Sequence, residues 1–339
     1  MKEKIILSLV IVIAIGGTIW FWKSQRFTSN TNNKAQQEEL AQAINGNMVS
    51  KEIANRRPIA VSIENHPDAR PQSGLTDADI VYESLTEGGI TRFLAIFQTR
   101  EVKEIGPIRS TRTFFNYIAN EWSAVLAHAG GNSDALEELK TKKYKNLSDA
   151  DQFFNDKSFT REKSRTAPHN LYTTDKLLRE LISNKGYESW TPMTLWEFAT
   201  IPTNELKMEV TQITIPFSDS SYLVNYKFDP NIDSYTRSIG SKQIIDKNNS
   251  LQVSPKNVLI QFADNYPTET DTVGSQDFSL NTKGPVLLFT GGKVVAGRWE
   301  SINGKTKYTT NDGKSLVLQP GQTFVEIFPR SRQNEIKWQ

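Results

Sequence analysis

The chain has 339 residues, 40 basic side chains against 38 acidic ones, a net charge of +2 and no cysteine. Without cysteine there can be no disulfide staple, thiolate metal site, cysteine nucleophile or lipid-modified cysteine, and so even a charge balance lacks the concentrated basic excess of a nucleic-acid binder. A hydrophobic share of 37% with 10% aromatic residues is too rich for a disordered chain and too poor for a polytopic membrane protein, which leaves a folded protein of about two domains.

Residues Ile5 to Trp22 read IILSLVIVIAIGGTIWFW without a charge, with Lys2 and Lys4 before them and Lys23 after. About 17–25 apolar residues suffice to cross a bilayer. The run ends in Trp20, Phe21 and Trp22, which suit an interfacial aromatic anchor better than a peptidase site. Residues 1–23 therefore read as an uncleaved signal anchor, single-pass in the cell membrane, with the bulk of the chain extracytoplasmic. The competing reading is a signal peptide cleaved near Gly16–Gly17. Residues 24–55, including TSNTNNKAQQ, are polar and poor in aromatics, and read as an extracytoplasmic tether. A short helix over Glu38–Ile44 is compatible with it, and folding is expected from Arg56–Pro58.

From Pro58 to about Ala199 the pattern mixes strands and helices. PIAVSIE (Pro58–Glu64) alternates, DIVYESL (Asp79–Leu85) and RFLAIFQ (Arg92–Gln98) are apolar runs, and AVLAHAGG (Ala124–Gly131) is a short buried run stopped by glycines. Ser110–Trp122 places Phe114, Phe115, Ile118 and Trp122 at helical spacing; Asp134–Lys140 and Thr174–Asn184 are further helices. From about Lys207 the reading is mostly β, with strands over Glu209–Ile215, Ser221–Phe228, Asn257–Ala263, Val286–Phe289, Lys293–Trp299, Thr306–Thr309, Ser315–Leu318 and Thr323–Phe328. Asn303–Gly304 and Asp312–Gly313 are hairpin turns between them, and Trp299, Tyr308, Phe324 and Phe328 alternate as core. The fold class is α+β: a mixed α/β sheet domain over 56–203, then a smaller mostly-β domain over 204–339.

All three histidines, His66, His128 and His169, lie in the first of these domains, in ENHPDARPQSG, AHAGGN and TAPHN. Their spacing supports no metal, and neither metal nor cofactor is expected; a shared polar pocket with Asn65 and His66 is the better reading. The arginines argue more sharply. IGPIRSTRTFF sets Arg109 and Arg112 three apart at the start of the Ser110–Trp122 helix, where cations are disfavoured and an anion is called for. Glu83 and Glu87 are the available internal partners. EGGITR contributes Arg92, and FTREKSRTAPHN contributes Arg161 and Arg165 before His169. Either these residues form a structural Arg–Glu network, or they line an anion-binding cleft in which Arg109, Arg112 and Arg165 hold an acidic group and Glu87 or His128 moves a proton. No phosphate-binding loop, nucleophile elbow, zincin motif or EF-hand is present.

The long run RPIAVSIENHPDARPQSGLTDADIVYESLTEGGITRFLAIF, followed by IGPIRSTRTFF, AHAGG and R-x-x-x-R-T-APHN, resembles the YerB-like lipoprotein family of Gram-positive bacteria, from about Arg56 to Pro329. The resemblance implies a domain of unknown function in two parts and a membrane-attached protein facing the cell wall; it implies no reaction. With no cysteine after the hydrophobic run, the anchor here is expected to be the helix itself. The expectation is thus a membrane-anchored envelope protein binding an anionic ligand (wall glycan, teichoic acid or acidic peptide). An envelope hydrolase or lyase on such substrates and a protein-binding scaffold are the alternatives.

Overall fold

The structure, a computed structural model, describes residues 39–201, 209–268 and 274–339. The expected anchor over 1–23 and the tether as far as residue 38 lie outside them. No helix among the described residues is long and apolar enough to cross a membrane.

Order begins earlier than expected. Leu40–Gln42 pairs antiparallel with Met48–Ser50, so the short helix expected over Glu38–Ile44 is a strand, and residues 40–55 are folded. Ala43 and Ile44 are buried, the Ile44 amide donates to Gln98 Oε1 at 3.1 Å, and Asn45 Nδ2 donates to Asp79 Oδ1 at 2.6 Å. Three-residue strands carry no readable period. Their order comes from partners that lie elsewhere in the chain.

One mixed sheet organises the rest. Its strands are β1 (Ile59–Glu64), β2 (Ile80–Leu85), β3 (Thr91–Phe97), β4 (Val125–His128), β5 (Ser148–Asp151), and, after a second sheet, β10 (Asn257–Ala263), β11 (Lys283–Thr290), β12 (Lys293–Ile302), β13 (Lys305–Thr310) and β14 (Thr323–Pro329). The order is β13-β12-β11-β10-β14-β2-β3-β1-β4-β5. β10, β14 and β2 are mutually parallel, as are β1, β4 and β5, while β3 runs against its neighbours β2 and β1. The second sheet, order β9-β8-β7-β6-β15, holds β6 (Gln212–Pro216), β7 (Leu223–Asp229), β8 (Ser234–Ile239), β9 (Lys242–Gln243) and β15 (Lys337–Trp338). It packs on the first through Tyr226 against Phe324 and Phe217 against Phe328.

The α+β class holds: a few helices accompany a mixed sheet in the first part, and the second part is mostly β. The boundary expected near residue 203 lies outside the described residues, and strands from both sides of it join in one sheet where β14 pairs with β2. Residues 40–339 form one compact unit. The longer helices are α1 (Thr113–Glu121), α2 (Ser133–Lys140) and α3 (Asp175–Lys185). α1 buries Phe114, Phe115 and Ile118, and at its end Trp122 donates to Tyr82 Oη at 2.9 Å. The Asn303–Gly304 turn joins β12 to β13 with φ of 53° and 71° at its two residues, the mirror-image turn that matches strand twist.

Candidate functional site

β1, β2, β4 and β5 point the same way, so their carboxyl ends, and the start of β3, share one edge of the sheet. This is the edge at which open α/β sheets bind ligands. The short run Pro107–Thr111 is wedged between the ends of β1 and β4. On one side the Glu64 amide donates to Pro107 O at 2.8 Å and the Arg109 amide to Ser62 O at 2.9 Å. On the other, the Ala129 amide donates to Arg109 O at 3.1 Å and the Thr111 amide to Gly130 O at 2.9 Å.

That wedge corrects the expected helix start. Arg112 is extended (φ −136°, ψ 158°) and α1 begins only at Thr113. Residues three apart share a helix face but lie on opposite faces of an extended chain. Arg109 and Arg112 accordingly point to different partners, each an anion of the protein itself.

Arg109 Nε lies 3.1 Å from Glu64 Oε1, and the other oxygen of Glu64 accepts from His169 Nδ1 at 2.9 Å. The His169 ring stacks on His66 with centroids 5.0 Å apart and planes inclined by 18°. Glu64, almost fully buried, was not among the residues expected at the site. Its sequence signal was a carboxylate on the Ala60–Ser62–Glu64 side of β1, where the opposite side carries Ile59, Val61 and Ile63.

Arg112 Nη2 and Arg92 Nη2 each hold one oxygen of Glu87 at 2.5 Å. Burial pushes the Glu87 carboxyl up, but the two guanidinium groups outweigh it and hold it at about 2. A carboxylate so held stays ionised near neutrality and is not poised to move a proton. Burial, with Arg112 beside it, lowers Arg92 to about 10.

Glu83 stands apart from Glu87, on β2 and fully buried. It accepts from Asn65 Nδ2 at 3.0 Å, from Thr91 Oγ1 at 2.6 Å and from Arg237 of β8. His128 is equally buried, with Nδ1 2.7 Å from Gly130 O and Nε2 2.8 Å from Asp149 Oδ1. Arg165 does not join Arg109 and Arg112. It donates to the carbonyls of Ala69 at 2.8 Å and Pro71 at 2.9 Å and to Tyr172 Oη at 2.8 Å, and so ties the His169 loop to the His66 loop. Arg161 donates to Asn170 Oδ1 at 2.9 Å within its own loop.

Beside the wedge lies a groove of about 730 Å³, lined by Arg109, Gly130, Lys140, Asp149, Phe153 and Phe154 among others. Its acidic groups are occupied: Asp149 by His128, and Asp151 by the amides of Gly130 and Phe153, each at 3.1 Å. Phe153 and Phe154 are 70% and 81% exposed. Arg109 is not saturated. Glu64 faces its Nε, and its two terminal nitrogens have no hydrogen-bond partner among the described residues.

Residues 44–188 match the family described as "Protein of unknown function (DUF3048) N-terminal domain", and residues 213–325 match its C-terminal domain. The chain belongs to the DUF3048 family. A protein of Bacillus subtilis (strain 168) named "Putative lipoprotein YerB" is 32% identical over 295 residues, which cover 86% of this chain and 87% of that one. The crystal structure of the Bacillus subtilis YerB protein superposes with a TM-score of 0.80 at 30% identity, covering 88% of this chain and 99% of its own. The shared fold therefore includes both DUF3048 parts and the sheet that joins them.

Proposed function

We propose that this DUF3048 protein is held at the outer face of the cell membrane by its N-terminal apolar run and binds an anionic envelope ligand at the carboxyl edge of its sheet. The ligand class is a wall glycan, teichoic acid or acidic peptide. The observation that carries this is Arg109: its Nε is ion-paired to Glu64, its two terminal nitrogens have no hydrogen-bond partner among the described residues, and it lines a groove in which every carboxylate already has a partner. A guanidinium so oriented suits a phosphate or carboxylate, which it grips with two parallel hydrogen bonds. Phe153 and Phe154 add an exposed apolar wall on which a sugar ring or side chain can pack. The lipoprotein name of the Bacillus relative agrees with an envelope location. This chain has no cysteine to carry a lipid, so the Ile5–Trp22 run is assigned the anchoring role.

The test uses full-length protein purified in detergent, titrated with teichoic-acid and peptidoglycan fragments. Arg109→Ala is expected to weaken binding at least about tenfold, the cost of a charge-assisted contact, while Lys307→Ala, on the distant β13, leaves it unchanged. Equal binding by the Arg109→Ala protein would overturn the reading.

A further inference from the structure

We propose that His66, Asp68 and His169 form a binding site for a divalent cation of the zinc type. These residues come from two loops, and one ligand atom from each lies within 4.8 Å of the others. Nothing in their sequence spacing announces this. The loops are brought face to face by the fold.

Three features favour a metal over a plain histidine stack. First, His169 Nδ1 lies 2.9 Å from Glu64 Oε2. A carboxylate only accepts, so Nδ1 carries the proton and Nε2 presents a lone pair. Histidines that ligate metals are commonly oriented and made more basic in this way. Second, His66 Nδ1 accepts from the Asp68 amide at 3.3 Å, and the same nitrogen lies 3.5 Å from Asp68 Oδ2. That cap bond holds the His66 ring against the Asp68 carboxylate, so that a ring nitrogen and a carboxylate oxygen lie close enough to share one ion. Third, the loops are pre-assembled. Arg165 clamps one to the other, and Arg70 and Gln72 donate to Asn65 Oδ1 at 3.0 and 2.9 Å, which fixes the backbone next to His66.

The donor set argues for the ion. Two imidazoles and one carboxylate suit zinc and its first-row neighbours, whereas calcium and magnesium prefer all-oxygen cages. The Asp68 side chain is 71% exposed, so it is free to swing onto an ion, and a coordination position is left open to solvent. Glu64 joins this site to Arg109, since its two oxygens serve His169 and Arg109 respectively.

The test is a zinc titration of untagged, metal-stripped full-length protein in detergent, against a chromophoric chelator, with the visible spectrum of added cobalt as a second readout. One equivalent of zinc is expected, bound more tightly than about 1 µM. Asp68→Asn, at an exposed position, should weaken it at least about tenfold, and His66→Ala or His169→Ala at least about 100-fold, with Glu64→Gln falling within the range of about 10–100-fold seen for partners of metal ligands. Arg109→Ala should keep its zinc while losing wall fragments, which separates the two proposals. The metal site is overturned if the wild-type protein shows no saturable equivalent. It is also overturned if that equivalent survives in the double variant His66→Ala, His169→Ala.

Discussion

Glu87 and Glu121 lie at the two ends of one stretch of chain and ionise in opposite directions. Burial raises Glu87, but Arg92 and Arg112 outweigh it and hold the carboxyl at about 2. Its folded value lies below its unfolded one, so its contribution is present above an unfolded pKa of about 4.3 and is lost as pH falls toward 2. Glu121, at the end of α1, accepts from the Thr306 amide at 2.9 Å and from Thr306 Oγ1 at 3.0 Å, and burial pushes it up to about 7. Here the folded value is the higher one. The contribution is present below about 4.3 and is lost as pH rises through 7. From these two groups, thermal melts across pH should therefore peak at about pH 4. Glu87→Gln should lower stability at neutral pH by about 3–5 kcal/mol, because two buried arginines lose their anion, and should flatten the acid limb. Glu121→Gln should flatten the alkaline limb and melt above the parent at about pH 8. Variants whose profiles run parallel to the parent's would refute both assignments.

At the scale of elements, the Pro107–Thr111 wedge matters most, because it splays β1 from β4 and aims Arg109 into the groove. Gly106 opens it. With φ at +149°, a Cβ there would meet Leu171 O at 2.8 Å and Ile108 N at 3.1 Å, and backbone atoms cannot retreat as side chains do. Gly106→Ala should cost about 1–3 kcal/mol in chemical denaturation and should weaken wall-fragment binding as well, since Arg109 loses its seat. Unchanged stability would show that the wedge is held elsewhere. The helix expected from Ser110 starts only at Thr113 for a related reason. The apolar spacing from Phe114 to Trp122 was read correctly, but the residues ahead of it pair with strands on both sides, and that pairing overrides local helical tendency.

For the whole molecule, the seam between the two DUF3048 parts decides how it unfolds. Arg237, fully buried on β8, reaches Glu83 of β2 and Glu326 of β14, the latter at 3.0 Å, and Tyr226 Oη at 2.6 Å. Its guanidinium lies 5.2–5.6 Å from the ring centroids of Tyr226, Phe324 and Phe93. Glu83 and Glu326 are register partners on adjacent strands. Burial and the neighbouring Glu83 drive Glu326 well above the usual carboxylate range, so that one arginine serves two carboxyl groups. Arg237→Met should cost about 3–5 kcal/mol by stranding them. In the parent, tryptophan fluorescence and far-UV circular dichroism should report one coincident unfolding transition, because each part completes the other's sheet. Two separated transitions would contradict that coupling.

Much of the fold was legible because it is local. The β1–β3 runs, the α2 and α3 periods, the Asn303–Gly304 hairpin and the burial of Trp299, Tyr308, Phe324 and Phe328 are properties of a few consecutive residues, and hydrophobic periodicity records them. The concentration of histidines and arginines in loops of the first part was equally plain. Their partners were not. Whether Arg109 meets Glu64 or Glu87 depends on a backbone being extended rather than helical, which the pairing of 107–111 with two strands sets. That Glu83 belongs to Arg237, and His66 to His169, depends on which distant segments close onto one sheet edge. Periodicity is written along the chain, whereas ion pairs and ligand sites are contacts across it, and strand register and loop closure bring those together only once the sheet has formed.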